Sequence, residues 1–314
     1  MKQKIGFLFP GQGSQFVGMG LAVYNQFDSA KKIFQRADEV LGYGLSKICF
    51  EGPEEALTRT LNAQPAIYTT SYAALTVFRE KFPSIQPAIV AGHSLGEFSA
   101  LAAAGFFSFE DGLRLVQVRA NAMEKAATAN PGAMAAILGL EQSGCREVAV
   151  ESGAEIANFN APLQTVLTGR AEAISKACLL AEQKGAKRVI PLKVSGAFHS
   201  SLMISAQAEL TDALKKISTR ELICDFIPNV TGVKNSNLPE ICDLLGRQLV
   251  SSVCWTETMS QLTLENLTHV IEMGPGKVLK GLAKSCGVPV VIQPFGVLED
   301  IDTVAKNFEG VIHA

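Results

Sequence analysis

The sequence contains 314 residues, which exceeds one average domain but allows a single α/β core that carries an inserted subdomain. The formal net charge of −2 gives no overall basic field that could hold nucleic acid or an anionic membrane surface. Hydrophobic residues make up 47% of the chain and charged residues 18%. This balance is typical of a globular protein with a large core and unlike that of a disordered chain.

Signals for export, membrane insertion or metal binding are not evident in the sequence. The N-terminal basic residues precede a short apolar run that stops at Pro10, so no export signal is expected. Other apolar stretches are far shorter than the roughly 18 residues that a spanning helix needs. The 7 cysteines lack CxxC spacing, which indicates reduced thiols, and none of the 4 histidines has a partner at metal-ligand spacing. We therefore expect a soluble cytoplasmic protein without a metal.

Three segments of the chain show a short apolar run followed by a turn that contains glycine. Ile5 to Phe9 precedes Pro-Gly, Ala88 to Ala91 precedes Gly-His-Ser, and Val270 to Met273 precedes Gly-Pro-Gly. Such runs are typical of buried strands that end in tight turns, and the intervening segments have helical composition. The pattern predicts a mostly parallel sheet with helices on its faces, an α/β architecture that resembles the α/β hydrolases.

A different order of elements is predicted between about residues 133 and 194. The pattern indicates a strand, a helix, two strands joined near Ala161-Pro162, a helix from Ala171 to Lys184, and a final strand. The order βαββαβ is that of a ferredoxin-like unit. We therefore expect a ferredoxin-like subdomain at 131–194, inserted into a discontinuous α/β-hydrolase-like catalytic domain formed by 1–130 and 195–314.

The segment Gly92-His-Ser-Leu-Gly96 matches the pattern G-x-S-x-G. It follows an apolar run and precedes a segment rich in helix formers, so it fits a sharp turn between a strand and a helix. Glycine is needed on both sides because the backbone there is strained and crowded. The turn would expose the hydroxyl of Ser94 and aim the next helix N-terminus at a developing negative charge. The alternative is that Ser94 only caps a helix.

A nucleophilic serine needs a general base, and His199 is the best candidate among the other histidines. His269 lies in a predicted strand, and His313 lies in the C-terminal tail. The aspartate between Ser94 and His199 is Asp111, which is expected to begin the next helix, so the usual third acid is missing. We expect a Ser-His dyad whose imidazole is oriented by a neutral acceptor such as a backbone carbonyl.

Arg119 lies on a predicted helix from Glu110 to Lys125 and shares a stripe with Leu115, Val116 and Met123. It therefore emerges from the apolar side of that helix. One interpretation is that the side chain snorkels to solvent. The other is that the guanidinium enters a pocket, where its planar fork can hold a substrate carboxylate in bidentate fashion.

Two groups of basic residues are expected to form exposed patches. The first follows Gly276 at helical spacing, and the second lies in the inserted subdomain. Their members are Lys277, Lys280 and Lys284, and then Lys184, Lys187, Arg188 and Lys193. They could flank the mouth of a site between the two domains, or they could be ordinary solvated faces.

The motifs occur together in one order along the chain. They are Phe9-Pro-Gly-Gln-Gly-Ser-Gln15, Gly92-His-Ser-Leu-Gly-Glu97, Arg119, Gly196-Ala-Phe-His199 and Gly274-Pro-Gly276. This combination resembles the malonyl-CoA:acyl carrier protein transacylase family of acyltransferases. The resemblance covers nearly the whole chain and is far more specific than any single motif.

The resemblance implies a role for each candidate residue. Ser94 would be the acylated nucleophile, and His199 would act as base and acid. Arg119 would clamp the malonyl carboxylate. The backbone N–H groups of Gln12 and Leu95 would donate to the oxyanion.

Three further positions match the family with a less direct part in the chemistry. Gln248, in Gly-Arg-Gln-Leu, matches a glutamine whose backbone carbonyl accepts the imidazole N–H, which fits the missing acid. Phe198 resembles the malonyl-selective form of its motif. Asn160 matches a segment that lines the substrate pocket.

The implied activity is transfer of a malonyl group from malonyl-CoA to the phosphopantetheine thiol of an acidic acyl carrier protein. It would proceed through a malonyl-serine intermediate and serve fatty acid or polyketide synthesis. The coenzyme A thioester is then a substrate, and no bound cofactor is expected. A serine hydrolase or thioesterase is the alternative enzyme, and a non-catalytic carrier-binding module is the alternative from another class.

Overall fold

A computed structural model describes residues 4–308 and contains two separate β-sheets surrounded by helices. The strands are β1 (Ile5–Phe9), β2 (Ile89–Gly92), β3 (Ala133–Leu138), β4 (Glu155–Ala161), β5 (Gln164–Gly169), β6 (Arg188–Pro191), β7 (Asp225–Ile227), β8 (His269–Met273) and β9 (Ile292–Phe295). They form a larger sheet of five strands and a smaller sheet of four strands, β3 to β6.

The helices surround these sheets, and α5 is buried along most of its length. They are α1 (Leu21–Gln26), α2 (Asp28–Leu41), α3 (Leu45–Glu51), α4 (Glu54–Thr58), α5 (Thr60–Lys81), α6 (Gly96–Ala103), α7 (Phe109–Ala129), α8 (Gln142–Ser152), α9 (Ala171–Gln183), α10 (Ile204–Leu214), α11 (Leu238–Arg247), α12 (Trp255–Leu264), α13 (Val278–Ser285) and α14 (Glu299–Asn307), with short 3₁₀ turns at Ser201–Met203 and Gln248–Val250. Within residues 4–308, no helix combines the length and the apolar character that crossing a membrane would require.

The larger sheet has the order β7-β2-β1-β8-β9, and all its neighbouring strands are parallel. Strands β1 and β2 are buried on both faces, as expected for short apolar runs in a parallel sheet. The register pairs Phe9 with Gly92, so the loops that follow these two strands start side by side. The mostly parallel sheet predicted from the sequence is confirmed, and its carboxyl edge brings the glycine-containing turns together.

The smaller sheet is antiparallel and has the order β4-β5-β3-β6. Its elements follow the predicted succession βαββαβ, with β4 and β5 joined at Pro162 and Leu163. Helices α8 and α9 cover one face and enclose an apolar core of their own, which includes Ile137, Val148 and Leu167. An α/β fold with one parallel and one antiparallel sheet is therefore established.

Strand β4 links the smaller sheet to the rest of the molecule. The Phe159 amide donates to the Val253 carbonyl at 3.0 Å, and the Val253 amide donates to the Ala157 carbonyl at 2.8 Å. The Thr256 hydroxyl, on α12, also donates to the Phe159 carbonyl. These bonds occupy the exposed edge of β4 and hold the smaller sheet against the carboxyl edge of the larger one.

Candidate active site

The turn after β2 has the strained geometry that its sequence predicts. Ser94 has a φ of 51°, in the left-handed region that non-glycine residues rarely adopt. A Cβ atom on Gly92 would lie 2.0 Å from the Gly96 carbonyl, and one on Gly96 would lie 2.0 Å from the Phe9 carbonyl oxygen. Both glycines are therefore required by close backbone contacts. The turn leads directly into α6 and exposes the Ser94 hydroxyl to a cavity.

Asn229, in the loop after β7, braces this turn. Its side-chain oxygen accepts a hydrogen bond from the Ser94 amide at 2.7 Å, and its side-chain nitrogen donates to the Gly92 carbonyl at 2.6 Å. One fully buried amide thus replaces backbone hydrogen bonds that the sharp turn cannot make. Sequence reasoning missed Asn229; the available signal was an asparagine two residues after a short apolar strand.

His199 lies beside the nucleophile. Its Nε2 is 2.8 Å from the Ser94 Oγ, and its Nδ1 is 2.9 Å from the Gln248 carbonyl oxygen and 3.2 Å from the Ser251 carbonyl oxygen. Two backbone carbonyls therefore orient the ring, with Nδ1–H as donor, and leave Nε2 free to accept the serine proton. Burial and the nearby charge of Arg119 lower the pKa of His199 to about 3, so the imidazole is neutral at neutral pH.

Asp111 and His269, the other residues weighed as acid and base, lie away from Ser94. The Asp111 amide donates to the Ser108 hydroxyl in the first turn of α7, as expected for a helix start. His269 is the first residue of β8, at the opposite end from the Gly274 turn, and it lines a separate groove of about 750 Å³. His313 lies outside the described residues. Residues 4–308 also contain no cluster of three or more His, Cys, Asp or Glu side chains that could hold a metal.

Arg119 does not snorkel to solvent, because only 1% of its surface is exposed. Its Nη1 donates to the Gln64 side-chain oxygen at 2.7 Å. Its Nη2 donates to the Ser94 Oγ at 3.0 Å and to the Gln248 Oε1 at 2.9 Å. Burial lowers the pKa of Arg119 to about 9 and the charge of Glu97 opposes that shift, so the guanidinium is charged at neutral pH. A buried cation with neutral direct partners therefore faces the nucleophile.

Gln64 and Glu97 are two further buried polar residues that sequence reasoning missed. Gln64 interrupts the buried surface of α5, and Glu97 lies in the first turn of α6. A polar residue inside an apolar helical segment was the available signal for Gln64. Glu97 stood next to the serine motif, but its partner Gln248 is 151 positions away in the chain.

The predicted oxyanion donors lie in two different loops beside Ser94. Gln12 follows β1 and Leu95 follows the serine, and both line the cavity. Within residues 4–308, neither backbone N–H donates to another protein group. The close approach of the two loops depends on Gly11, where a Cβ atom would lie 2.3 Å from the His93 carbonyl oxygen. The helix dipole of α6 adds partial positive charge near Leu95.

The cavity has a volume of about 310 Å³ and opens between the two sheets. Phe198 lines it, and its carbonyl accepts a hydrogen bond from Thr168 at 2.9 Å. Asn160 is not part of the lining; its side-chain oxygen lies 2.8 Å from the Nε2 of His93, which does line the cavity. Asn158, two residues earlier on β4, contributes to the wall instead. The structure therefore places Asn160 one layer behind the cavity.

Comparisons with known proteins agree with this geometry. Residues 6–280 match the family described as the acyl transferase domain. A relative from Bacillus subtilis (strain 168), the malonyl CoA-acyl carrier protein transacylase, is 46% identical over 286 residues, which is 90% of each chain. The crystal structure of an acyl-carrier-protein S-malonyltransferase from Bartonella henselae is 38% identical, with a TM-score of 0.94 over 98% of this chain and 99% of that chain.

A second solved structure is a malonyl-transacylase in complex with a type II PKS acyl-carrier protein. It is 36% identical, with a TM-score of 0.92 over 97% of this chain and 99% of that chain. The match extends over both sheets and over the segments that carry Ser94, Arg119 and His199. The chain therefore belongs to the acyl transferase domain family and, within it, to the malonyl-CoA:acyl carrier protein transacylases.

Proposed function

We propose that this enzyme transfers a malonyl group from malonyl-CoA to the phosphopantetheine thiol of an acyl carrier protein through an ester on Ser94. The observation that carries the proposal is the buried guanidinium of Arg119, 3.0 Å from the Ser94 hydroxyl. A buried cation is stabilised by an anionic partner, and a malonyl thioester brings a carboxylate close to its reactive carbonyl. A simple ester substrate would bring no anionic group to pair directly with this guanidinium.

In the first half-reaction, His199 accepts the Ser94 proton as the serine oxygen attacks the thioester carbonyl. The carbonyl oxygen becomes an oxyanion between the Gln12 and Leu95 amides, whose N–H groups have no acceptor within the described protein. The protonated imidazole then delivers its proton to the departing CoA thiolate. The Gln248 carbonyl holds the ring in the required tautomer throughout, at 2.9 Å from Nδ1.

In the second half-reaction, the carrier thiol takes the place of CoA and repeats the steps in reverse. His199 deprotonates the thiol, which attacks the malonyl ester, and the proton returns to Ser94. The chemistry needs no bound cofactor. Phe198 contributes apolar surface to the pocket, and Asn160 acts indirectly by holding His93 at 2.8 Å. Such a cycle has ping-pong kinetics.

An acyl carrier protein is the proposed second substrate because a solved relative is a malonyl-transacylase in complex with one. Lys193 lies at the cavity, and α13 presents the exposed side chains of Lys280 and Lys284. The start of α13 is near the loop after β1, since a Cβ atom on Gly276 would lie 3.3 Å from the Ser14 carbonyl oxygen. A carrier with an acidic surface would meet these lysines as its prosthetic arm enters the cavity.

We also propose that 131–194 forms a ferredoxin-like subdomain within an α/β-hydrolase-like core of 1–130 and 195–314. The strand order β4-β5-β3-β6 and the separate apolar core under α8 and α9 support this division. We also propose a cytosolic location, because the 7 cysteines lack CxxC spacing, which indicates reduced thiols.

The assignment of the nucleophile is tested by mass mapping of the acyl-enzyme after incubation with malonyl-CoA. The unaltered enzyme should carry one malonyl group on the peptide that contains Ser94, and Ser94→Ala should carry none while remaining folded. Ser195→Ala is the matched control, because that exposed serine lies near the cavity and, among the described residues, its hydroxyl forms a hydrogen bond only with Thr60. A malonyl adduct on Ser94→Ala would overturn the assignment.

A further inference from the structure

Glu97 is a buried carboxylate directly behind the active site, with only 1% of its surface exposed. Its Oε1 accepts a hydrogen bond from the backbone N–H of Asn229 at 3.3 Å, and its Oε2 accepts one from the side-chain Nε2 of Gln248. Both oxygens therefore face N–H donors. Burial raises the pKa of Glu97 to about 8, and the bonds from Gln248 and Asn229 and the charge of Arg119 limit that rise.

Gln248 connects this carboxylate to the reacting groups. Its Nε2 also donates to the Ser94 carbonyl at 2.9 Å, and its Oε1 accepts from the Arg119 Nη2 at 2.9 Å. Its backbone carbonyl separately contacts the His199 ring. The side chain of Gln248 therefore joins Glu97 to Arg119, while its main chain serves the general base.

The orientation of the Gln248 amide follows from the chemistry of its neighbours. A carboxylate only accepts hydrogen bonds and a guanidinium only donates them. The amide can satisfy both only when its nitrogen points to Glu97 and its oxygen points to Arg119. The fixed oxygen then holds the Nη2 of Arg119, the same nitrogen that reaches the Ser94 hydroxyl.

We propose that Glu97 is a positioning residue that orients the side chain of Gln248 and thereby aims Arg119 at the carboxylate of the acyl group. When Glu97 is ionised, it also places a negative charge near Arg119, whose direct partners are neutral. This inference rests on the proposed function, in which Arg119 recognises the malonyl carboxylate. It assigns to Glu97 a part in substrate selectivity and no contact with substrate.

The test is Glu97→Gln. The new amide places an N–H₂ group against either the Asn229 N–H or the Gln248 Nε2, and neither can accept it. Turning Gln248 over relieves that conflict but directs its nitrogen at Arg119. We expect the second-order rate of Ser94 acylation by malonyl-CoA to fall by at least about tenfold relative to acylation by acetyl-CoA, as for the loss of a charged hydrogen bond.

Two further variants separate selectivity from folding. Gln248→Met removes the side-chain amide but keeps the backbone carbonyl for His199. It should therefore reduce the malonyl preference as Glu97→Gln does. If Glu97→Gln does not fold, the result for Gln248→Met tests the inference instead. Glu272→Gln is the matched control, because this buried glutamate accepts from the Leu279 and Lys280 amides at the start of α13, away from the cavity. It should leave the malonyl preference unchanged.

Single-turnover acylation by each thioester, with folding checked by circular dichroism, gives the required ratios. A folded Glu97→Gln enzyme that keeps the malonyl preference, or that slows equally with both thioesters, would overturn the inference. A preserved preference in Gln248→Met would do the same. Absence of a malonyl ester on the unaltered enzyme would instead contradict the proposed function. That outcome is distinct from the results above, because it does not involve any variant.

Discussion

The side chain of Arg119 has two tasks that cannot be carried out by the same nitrogen at once. In the structure its Nη2 donates to the nucleophile at 3.0 Å, and in the proposed complex the guanidinium must hold a carboxylate. Its Nε has no hydrogen-bond partner within the described residues, so one donor is available before any bond is broken. We expect the malonyl carboxylate to bind at this free donor and to compete with Ser94 for the guanidinium.

Removal of this charge should affect malonyl and acetyl transfer differently. Arg119→Ala should cost roughly 1.5–3 kcal/mol of interaction with the malonyl carboxylate, the scale of a charged hydrogen bond. Acylation by acetyl-CoA, which has no carboxylate, should show no comparable loss. Parallel measurement of kcat/KM for the two thioesters checks this, and an equal loss with both would show that Arg119 has only a structural role.

The pH dependence of acylation reports the protonation of His199 in the free enzyme. Burial and the Arg119 charge lower its pKa to about 3, so His199 should cause no loss of kcat/KM between about pH 8 and about pH 5 and a fall only below that. In Arg119→Ala the acidic limb should move to higher pH, because a nearby positive charge has gone. An acidic limb near the ordinary histidine value in both enzymes would contradict this.

The same shift has a consequence for stability. His199 binds a proton more readily in the unfolded chain than in the folded protein. Its contribution to stability is therefore complete above the ordinary histidine pKa and is lost as the pH falls toward about 3. Circular dichroism at each pH separates this unfolding from loss of the active protonation state.

At the level of elements, β2, the serine turn and α6 were predictable because their determinants are local. An apolar run, two glycines and a following helical segment specify the turn without reference to the rest of the chain. The predicted strand from Ala88 to Ala91 differs from the observed β2 by one residue at each end. The braces of that turn are not local, since Asn229 lies 135 positions from Ser94.

Gly96→Ala tests the crowding at the start of α6. The added Cβ would lie 2.0 Å from the Phe9 carbonyl oxygen, so β1 and α6 must separate. We expect a loss of about 1–3 kcal/mol in the free energy of unfolding, typical of overpacking, together with slower acylation.

The matched control is Gly281→Ala in α13, where the added Cβ meets no atom within 4 Å. That change should raise stability by up to about 1 kcal/mol, because alanine favours a helix over glycine. Urea denaturation measures both variants. Equal stability changes at the two glycines would show that the contact with Phe9 imposes no constraint.

At the scale of the whole molecule, the site is assembled from distant segments by the parallel sheet. Sequence reasoning found Ser94 and Arg119 through local patterns and His199 by elimination. The oriented carbonyl of Gln248 came from the family resemblance, since no backbone carbonyl can be read from a residue type. Gln64, Glu97 and Asn229 were missed because a buried amide or carboxylate reveals its role only through partners far along the chain.

The predicted basic clusters are only partly available to a carrier. Lys184 forms ion pairs with Glu147 and Glu151, each at 2.9 Å, so its charge is balanced within the subdomain. Lys187 and Arg188 lie at the start of β6, whereas Lys193 lies beyond its end and lines the cavity. The proposed docking surface is therefore limited to the side chain of Lys193 and the exposed lysines of α13.

Reversal of charge at Lys280 and Lys284 should raise KM for the carrier protein, with the largest effect at low ionic strength where screening is weak. Acylation by malonyl-CoA should change much less. Reversal at Lys31 and Lys32 on α2 is the control, because both lysines are exposed and neither lines the cavity. Unchanged carrier kinetics at low salt in the α13 variant, or an equal change in the control, would exclude α13 as a docking surface.

The most direct test of the whole scheme follows one malonyl group through both half-reactions. Enzyme is acylated with radiolabelled malonyl-CoA, freed of CoA thioester, and then mixed with holo-carrier, with carrier lacking phosphopantetheine, or with buffer. The label should move to the holo-carrier and remain on Ser94 in the other two mixtures, because the site transfers to a thiol in preference to water. Release of free malonate at the same rate in all three mixtures would contradict the transferase and identify a hydrolase.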